Sequence, residues 1–322
     1  MVAIDVMGGD YAPNQILAGA LSAAQKAIPI ILVGPDQLIK YELSKLDPDW
    51  QSYPIQIQHA SQVIYMDNDP VHSVRQKKDS SIVKMIELVK TGKASVAISA
   101  GNSGAIMVAA SLILGKEENI ERPAIAGLLP SMSDKKILAI DLGANTDCKP
   151  KYLYQFAELA DKYSEKFLGI KNPRIGLLAN GQEDCKGSFL TKEAFQLLKQ
   201  SNLNFIGNVE PWDIFNNKTD IVVCDGFAGN ILLKTLETSV EMFTHLLKKD
   251  LANTHTEKLF QIENIAKNLA LSSTGALLLG VKGNVVICHG NSNSQIIEIA
   301  IKNYAQFFQQ EKTLFQIKKF TI

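Results

Sequence analysis

The sequence has no excess of charge of either sign and very little cysteine. Its 322 residues include 33 lysines and arginines and 33 aspartates and glutamates, so the formal net charge is zero. A chain without a positive field of its own is not expected to bind nucleic acid, and a charged partner must be met by a local patch. No cysteine belongs to a CxxC pair or to a His/Cys cluster with zinc spacing. We expect reduced thiols, as in a cytosolic protein, at Cys148, Cys185, Cys224 and Cys288.

A basic leader segment and a convincing membrane span are also missing. The opening residues, MVAIDVMGGD, contain an acid at Asp5 and no lysine or arginine, which is unlike a secretory signal peptide. The stretch Ala94–Gly115 carries no charged side chain and is long enough to cross a bilayer. Its centre reads SAGNSGA, and these polar groups and glycines favour a buried strand, a turn and a core-facing helix instead. We therefore predict a cytoplasmic location.

No linker rich in proline, glycine or serine divides the chain, and no repeat is visible. The length predicts one large α/β domain or two closely joined halves. Short apolar runs alternate with helical patterns, and several runs are apolar throughout, which is typical of parallel strands buried on both faces. We predict an α/β fold with an open, mostly parallel sheet. Its predicted strands are Val2–Val6, Ile28–Val33, Ile55–Gln58, Ser95–Ser99, Ile125–Leu129, Ile137–Leu142, Arg174–Ala179, Asn204–Gly207, Ile221–Cys224 and Val285–His289.

Helix start signals follow several of these strands. Pro13, Asp79 with Ser80, and Pro150 each precede apolar residues at helical spacing. Residues 230–273 differ from the rest, because they predict two consecutive helices, a hairpin that projects from the sheet. We expect its apolar positions to form core or dimer interface rather than a membrane face. These positions are Leu246, Leu247, Leu251, Leu259, Phe260, Ile262, Ile265 and Leu269.

The most informative feature is the turn that follows each of five strands. The turns are rich in glycine and asparagine, and they read SAGNSGA, DLGANTD, ANGQEDCKGS, DGFAGN and HGNSNS. In parallel sheets such turns gather at the carboxyl edge, where ligands bind. Glycine lets the backbone approach a ligand, and free N–H groups at a helix start attract anions. The pattern predicts a pocket for phosphate and a developing oxyanion, with candidate binding residues Gly8, Gly9, Asn102, Ser103, Gly104, Asn145, Gly226, Gly229 and His289.

Motifs for nucleotide, triad-hydrolase and metal chemistry are absent from the sequence. GNSGAIM lacks the Lys-Ser/Thr ending of a Walker A loop, and no GxGxxG or GxSxG motif stands in the required context. The many aspartates stand at strand ends and turns, where Asp commonly caps helices or closes turns. Their spacing matches no known metal geometry. We predict neither a metal nor another cofactor.

The densest basic run is Val74–Ser81, which reads VRQKKDSS. Two interpretations stay open for it. It is a solvated face before a helix capped by Asp79 or Ser80, or it binds phosphate or an acidic partner through Arg75, Lys77 and Lys78.

Eight motifs then occur in a recognisable order. They are IDVMGGDYAP, YMDNDPVHSVRQKKDSS, SAGNSGAIMVAASLILG with ERPAIAGLLP, IDLGANTDCKP, PRIGLLANGQEDCKGS, FIGNVEP, VVCDGFAGNILLKT and LLLGVKGNVVICHGNS. From Ile4 to about Phe308 the chain resembles the phosphate acyltransferase family of bacterial phospholipid synthesis, the acyl-ACP:phosphate transacylases, where ACP is acyl carrier protein.

The resemblance implies both a fold and a reaction. The fold is that of phosphotransacetylases and of isocitrate and isopropylmalate dehydrogenases, spanning residues 1–322 as one homodimeric unit with the hairpin inserted. The reaction is reversible transfer of a fatty acyl group from acyl-ACP to inorganic phosphate, giving acyl-phosphate for glycerophospholipid synthesis. The product goes to a membrane-bound glycerol-3-phosphate acyltransferase, which implies transient peripheral association with the cytoplasmic membrane.

The family motifs also imply two catalytic residues, Lys186 of the KG pair and Asn230 of the DGFxGN turn. Phosphate is itself a nucleophile, so the enzyme must position two anionic partners and stabilise the thioester oxyanion. Lys186 can neutralise phosphate and transition-state charge, and Asn230 can donate a hydrogen bond to the oxyanion.

The chain departs from the family pattern at several places, among them the segment SSTGALLLG, and two other functions stay open. Ala179 and Gln182 stand where the family carries an asparagine and an acid, and Trp212 replaces an arginine. The first alternative is a short-chain phosphotransacetylase that uses acyl-coenzyme A, although the KKDSS and DGFAGN motifs favour the carrier-protein enzyme. The second is a membrane-peripheral scaffold without activity.

Overall fold

The computed structural model describes residues 1–133, 135–251 and 275–319, with side chains omitted for 250–251 and 307–319. The chain divides into two compact units. Unit 1 comprises Met1–Glu117 and Ser272–Ile322, and unit 2 comprises Glu118–Leu271. The single α/β unit with an inserted hairpin, inferred from the resemblance, stays a prediction.

Unit 1 contains a mostly parallel sheet. Its strands are β1 (Val2–Asp5), β2 (Ile30–Gly34), β3 (Ile55–His59), β4 (Val96–Ser99), β10 (Ala276–Leu279) and β11 (Val285–Ile287). They lie in the order β3-β2-β1-β4-β11-β10, and only β10 runs antiparallel to its neighbour within this unit's described strands. Every residue of β1, β2 and β4 is buried, as expected for strands covered on both faces.

The helices of unit 1 follow its strands. They are α1 (Asn14–Gln25), α2 (Asp36–Leu46), α3 (Pro70–Gln76), α4 (Ser81–Lys90), α5 (Ser103–Ile113) and α10 (Ser294–Lys319). The structure settles one helix start signal and the nature of the uncharged stretch. Ser80, rather than Asp79, caps α4, because its hydroxyl accepts a hydrogen bond from the Val83 N–H at 3.4 Å. The uncharged stretch near residue 100 forms β4, a turn and α5, as predicted.

Unit 2 has a smaller sheet of the same kind. Its strands are β5 (Ala124–Leu129), β6 (Ile137–Ile140), β7 (Ile175–Leu178), β8 (Phe205–Val209) and β9 (Ile221–Val223). They lie in the order β5-β6-β9-β7-β8, with β5 antiparallel to β6 and the other neighbours parallel. The turns after β6, β9 and β7 therefore leave from the same edge.

The helices of unit 2 are α6 (Pro150–Tyr163), α7 (Phe189–Lys199), α8 (Pro211–Phe215) and α9 (Gly226–Leu251). Pro150 opens α6 as predicted, where its missing N–H is not needed. Beyond Gly229 no described side chain of α9 is buried. This helix covers the first part of the predicted hairpin, and the rest falls on residues 252–274, outside the described residues. No helix within the described parts of the chain is long and apolar enough to cross a membrane.

All ten predicted strands are present, shifted by one or two residues at their ends. The sequence prediction missed β10. Its four residues, ALLL, are too few and too uniformly apolar for their periodicity to distinguish a strand from a helix.

Candidate functional site

In unit 1 the turns after β1 and β4 meet around a buried aspartate. Asp5 is 1% exposed, and its Oδ2 accepts a hydrogen bond from the Ser99 hydroxyl at 2.7 Å. The Ser99 hydroxyl in turn accepts one from the Gly101 N–H at 3.0 Å. A Cβ on Gly8 would lie 2.6 Å from Asp5 Oδ2 and 2.7 Å from the Gly101 nitrogen. Gly8 is therefore required by close packing of the two turns.

Burial raises the pKa of Asp5, while hydrogen bonds from Ser81, Ser99 and the Met7 N–H act in the opposite direction. The carboxyl group lies inside the turn rather than at its surface. Asp5 is therefore a support for the glycine turn, in agreement with the sequence interpretation of the strand-end aspartates.

Asn102 connects α5 to the loop that precedes α3. Its Oδ1 caps α5 by accepting the Ala105 N–H at 3.0 Å. Its Nδ2 lies within 3.2 Å of three carbonyl oxygens, those of Tyr65, Met66 and Asn68. Because the amide is fully occupied inside the protein, its evident role is to fix the loop against the start of α5.

The next two candidates open α5. Ser103 is its first residue, and Gly104 follows. A Cβ on Gly104 would lie 2.7 Å from Pro70 Cγ, so this glycine allows α3 and α5 to approach each other.

The turn after β11 joins the same edge of unit 1. Gly9 has φ +104°, and the Asp10 N–H donates to the Gly290 carbonyl oxygen at 2.8 Å. His289 Nδ1 lies 2.6 Å from the side-chain oxygen of Asn291. Unit 1 thus brings Gly8, Gly9, the start of α5 and His289 to one edge.

In unit 2 a second buried aspartate organises the turn after β6. Asp141 is 0% exposed, and its Oδ1 accepts N–H bonds from Ile125, Gly143 and Ala144. Its Oδ2 accepts the backbone and side-chain N–H groups of Asn145 at 2.8 and 2.9 Å. Burial raises the pKa of Asp141, and these donors oppose that shift. The predicted binding residue Asn145 is thereby held inside the turn.

The turn after β9 packs directly on the turn after β6. The Gly226 N–H donates to the Asn145 carbonyl oxygen at 2.7 Å, and a Cβ on Gly226 would lie 2.6 Å from that oxygen. A Cβ on Gly229 would lie 1.9 Å from the carbonyl oxygen of Asp141. Both predicted glycines are required by contact between the two turns.

The residue just before α9, Asp225, caps the start of this helix with its carboxylate. Asp225 Oδ1 accepts the N–H groups of Phe227 and Ala228 at 3.0 and 2.9 Å. These groups are already paired, so an oxyanion near this helix start depends on side-chain donors. Asn230 is exposed, and a Cβ on Gly143 would lie 3.5 Å from its Oδ1.

Lys186 lies on the loop after β7, which we call the Lys186 loop (residues 180–188). The loop is closed at its neck, where the Gly187 N–H donates to Asn180 Oδ1 at 2.9 Å. Lys186 is exposed, and within residues 1–133, 135–251 and 275–319 its ammonium has no hydrogen-bond or ion-pair partner. Since β7 and β9 are parallel neighbours, the Lys186 loop and the start of α9, which contains Asn230, leave from the same edge of unit 2.

The basic run in unit 1 is only partly available to a partner. The Lys77 ammonium donates to the Val63 carbonyl oxygen and to Asn68 Oδ1, both at 2.8 Å. Arg75 and Lys78 are exposed. A docking patch here therefore rests on Arg75 and Lys78, because Lys77 holds the preceding loop.

The cysteines are free thiols, as predicted. Burial raises the pKa of Cys148 and of Cys288 to about 12, and it raises that of Cys224 well above its usual value. Such thiols are poor nucleophiles near neutral pH. Among the described residues no group of three or more His, Cys, Asp or Glu could hold a metal ion.

Comparison with known proteins supplies the family. Residues 1–314 match the family described as "Fatty acid synthesis protein". Proteins named phosphate acyltransferase match almost the whole chain. The one from Halothermothrix orenii is 45% identical over 312 residues, covering 94% of this chain and 92% of that protein. The one from Thermodesulfovibrio yellowstonii is 44% identical over 311 residues, covering 94% and 88%.

Solved structures with a similar fold include a phosphotransacylase and a phosphotransacetylase. A branched-chain phosphotransacylase from Enterococcus faecalis V583 gives a TM-score of 0.60 at 16% identity, covering 96% of this chain and 99% of that one. EutD phosphotransacetylase from Staphylococcus aureus gives 0.58 at 14% identity, covering 95% and 94%. The predicted fold class is confirmed.

Proposed function

The chain belongs to the fatty acid synthesis protein family, and from the phosphate acyltransferases among its relatives we propose that it transfers an acyl group to inorganic phosphate. The donor is a fatty acyl thioester of ACP, and the product is an acyl-phosphate for glycerophospholipid synthesis. The reaction is reversible, because a thioester and an acyl-phosphate are both activated acyl groups.

The chemistry needs no covalent enzyme intermediate. A phosphate oxygen attacks the thioester carbonyl carbon, and the carbonyl oxygen becomes a tetrahedral oxyanion. The new C–O bond is kept, the C–S bond breaks, and the carrier leaves as a thiolate that takes the proton of hydrogen phosphate. The protein must place two anionic reactants together and stabilise the oxyanion.

Lys186 and Asn230 supply these two requirements in our proposal. The observation that carries it is that the Lys186 loop and the start of α9 follow the parallel neighbours β7 and β9. The exposed Lys186 ammonium binds phosphate and neutralises charge in the transition state. Asn230 donates a hydrogen bond to the oxyanion, a role left to a side chain because Asp225 occupies the first N–H groups of α9.

The carrier protein and the membrane are further partners in the proposal. ACP is acidic, so exposed cations such as Arg75 and Lys78 are candidates for its docking site. The apparent KM for acyl-ACP should then rise steeply with salt, whereas a KM that is flat between low and high salt contradicts a basic docking patch.

We also propose a homodimer in the cytoplasm that associates transiently with the membrane carrying the glycerol-3-phosphate acyltransferase. Supporting this, α9 exposes four large apolar side chains between residues 242 and 247, each 45–59% accessible. They are Met242, Phe243, Leu246 and Leu247. Sedimentation of the Phe243→Ser/Leu247→Ser variant should show a monomer, and an unchanged dimer contradicts this interface.

The function is tested by release of free carrier thiol from acyl-ACP with and without phosphate. Wild type should release thiol only with phosphate, Lys186→Ala should lose most of this activity, and Lys192→Ala should keep it as an exposed lysine on α7. Release that is independent of phosphate contradicts the reaction. If phosphate-dependent release persists in Lys186→Ala, the catalytic residue is not Lys186. If wild type releases thiol from acyl-coenzyme A as fast as from acyl-ACP, the short-chain alternative is favoured.

A further inference from the structure

The Lys186 loop is fastened to the body of unit 2 at several points, although its lysine is exposed. The Asn180 side chain closes its neck on the Gly187 N–H at 2.9 Å. Inside the loop the Lys186 N–H donates to the Glu183 carbonyl oxygen at 2.9 Å. Farther out, the Asp184 carboxylate lies 2.9 Å from the Lys199 ammonium on α7. An exposed loop held in this way has fewer conformations to lose when it binds a ligand.

A buried asparagine on the strand β8 also anchors the Lys186 loop. Asn208 is 3% exposed, and its Nδ2 donates to the Glu183 carbonyl oxygen at 2.9 Å. The same Glu183 oxygen also accepts a hydrogen bond from the Lys186 N–H, so it links the Asn208 amide directly to the backbone of the lysine. Asn208 Oδ1 is buried without a hydrogen-bond partner within the described part of the chain. An unpaired buried acceptor destabilises the folded state, so stability alone favours an apolar residue here.

Gln182, one of the departures from the family pattern, forms another anchor. Its Nε2 donates to Asp213 Oδ1 at 3.2 Å, and its Oε1 accepts from the Lys218 ammonium at 3.0 Å. Lys218 also pairs with the buried Asp213 at 3.2 Å. A neutral amide suits this position because it can donate to the carboxylate and accept from the cation at once.

Gly181 forms the surface along which the Lys186 side chain runs. A Cβ on Gly181 would lie 2.9 Å from Lys186 Cγ and 3.3 Å from its Cδ. The other close atom is the terminal Glu183 Oε2 at 2.9 Å, and Gly181 is not among the residues with positive φ. Alanine therefore fits the backbone here and displaces only flexible side chains, chiefly that of Lys186.

We propose that Gly181, Asn180 and Asn208 are positioning residues that hold Lys186 in its working conformation. This rests on the proposed function, and it adds residues that act through the lysine without touching the substrate. The Asn180 and Asn208 amides fix the backbone on either side of Lys186, and Gly181 leaves the space that its side chain occupies. A misplacement of about 1 Å at a catalytic group can lower a rate by roughly 100-fold, so such support is needed for full activity.

Gly181→Ala gives the most selective test. We expect the phosphate-dependent rate of thiol release to fall about 10- to 100-fold, with KM for acyl-ACP unchanged. The same substitution in the Lys186→Ala background should have no further effect, because the group it displaces is gone. Gly34→Ala is the matched control, since a Cβ there meets no atom closer than 3.4 Å and its rate should equal wild type.

Asn208→Leu separates positioning from stability. The leucine removes the unpaired acceptor, and the Glu183 oxygen keeps the Lys186 N–H, so the unfolding temperature should stay within about 3 °C of wild type. The rate should nevertheless fall, and this fall should also vanish in the Lys186→Ala background. Asn204→Leu is the control for this variant. Asn204 directly precedes β8 and its amide donates to the Asn172 carbonyl oxygen, so the change removes a similar bond away from the Lys186 loop and should leave the activity at the wild-type level.

The outcomes separate two failures. If wild type shows no phosphate-dependent release, the proposed function is wrong, and the role of the loop falls with it. If wild type is active and Lys186→Ala is impaired, the function stands. Two results would then contradict the positioning role while leaving the function intact. One is a wild-type rate of thiol release in Gly181→Ala. The other is a loss of rate from Gly181→Ala that is equally large in the wild-type and Lys186→Ala backgrounds.

Discussion

Replacing Asp141 by asparagine is the substitution that most directly tests how the edge of unit 2 is built. The change keeps the shape of the side chain and converts one acceptor oxygen into an NH2 donor. If the new oxygen takes the place of Oδ1, it keeps the bonds to the Ile125, Gly143 and Ala144 N–H groups. The new NH2 group then faces the two N–H donors of Asn145.

The magnitude follows from these contacts. Two donors lose their acceptor in a site where Asp141 is 0% exposed and Asn145 is 8% exposed. Each buried unsatisfied group costs about 1–3 kcal/mol, so we expect a loss of about 4 kcal/mol in the free energy of unfolding of unit 2. Asp225→Asn is the control, because asparagine caps a helix nearly as well as aspartate and the change should be a few tenths of a kcal/mol, about 0.3.

Urea unfolding followed by circular dichroism measures the loss, and hydrogen exchange of residues 143–145 locates it. The Asp141→Asn midpoint should fall clearly below that of Asp225→Asn, with faster exchange in the turn. If both variants unfold like wild type, Asp141 does not act as a carboxylate. It then carries a proton, so that burial outweighs its five N–H donors, and our account of the turn is wrong.

Three further predictions concern stability and thiol chemistry. Gly229→Ala places a Cβ 1.9 Å from a main-chain carbonyl oxygen, so the purified variant should melt at a markedly lower temperature or fail to fold; a wild-type melting curve contradicts the tight contact between turns. The bidentate hydrogen bond from Arg174 lowers the pKa of Asp220 in the folded protein. The ion pair therefore stabilises the fold fully above the ordinary Asp pKa of about 3.9, and this stabilisation is lost as the pH falls through the lowered pKa of the folded state. Asp220→Asn should therefore be less stable than wild type by about 1–2 kcal/mol at pH 7, with a gap that narrows in acid; a gap independent of pH contradicts the ion pair. In the native protein the exposed Cys185 should react quickly with a thiol reagent at pH 8, whereas Cys288, buried with a pKa raised to about 12, should react only on unfolding, and mass mapping of the labelled peptides checks both.

The fold was largely predictable, because buried parallel strands appear in the sequence as short apolar runs, each followed by a turn that contains glycine. The runs around β1, β2 and β4 are wholly buried in the structure, which explains why they show no alternation. β10 escaped prediction because its short apolar run carries no periodicity of either kind. The antiparallel direction of β5 was equally hidden, since strand direction depends on connections rather than on composition.

The candidate site was predictable only at the level of its turns. The glycines were correctly placed at a sheet edge, but the sequence could not tell which atoms they approach. Asn102 illustrates the limit, since its amide binds three carbonyl oxygens of a distant loop. Asn208 was missed altogether, although a polar residue next to a strand's buried end was a usable signal.

The two units build their edges with the same device, and this device constrains where phosphate can bind. In each unit an aspartate, Asp5 or Asp141, is buried beside the turn and accepts N–H groups from it. N–H groups bound to an internal carboxylate are not available to a substrate anion. Asp141 and Asp225 moreover put negative charge beside the turns after β6 and β9, which disfavours a second anion there. The ammonium of Lys186 provides positive charge at this edge of unit 2, so phosphate should bind on the β7 side. The acyl thioester, which is uncharged before the attack, should approach from the side of Asn230.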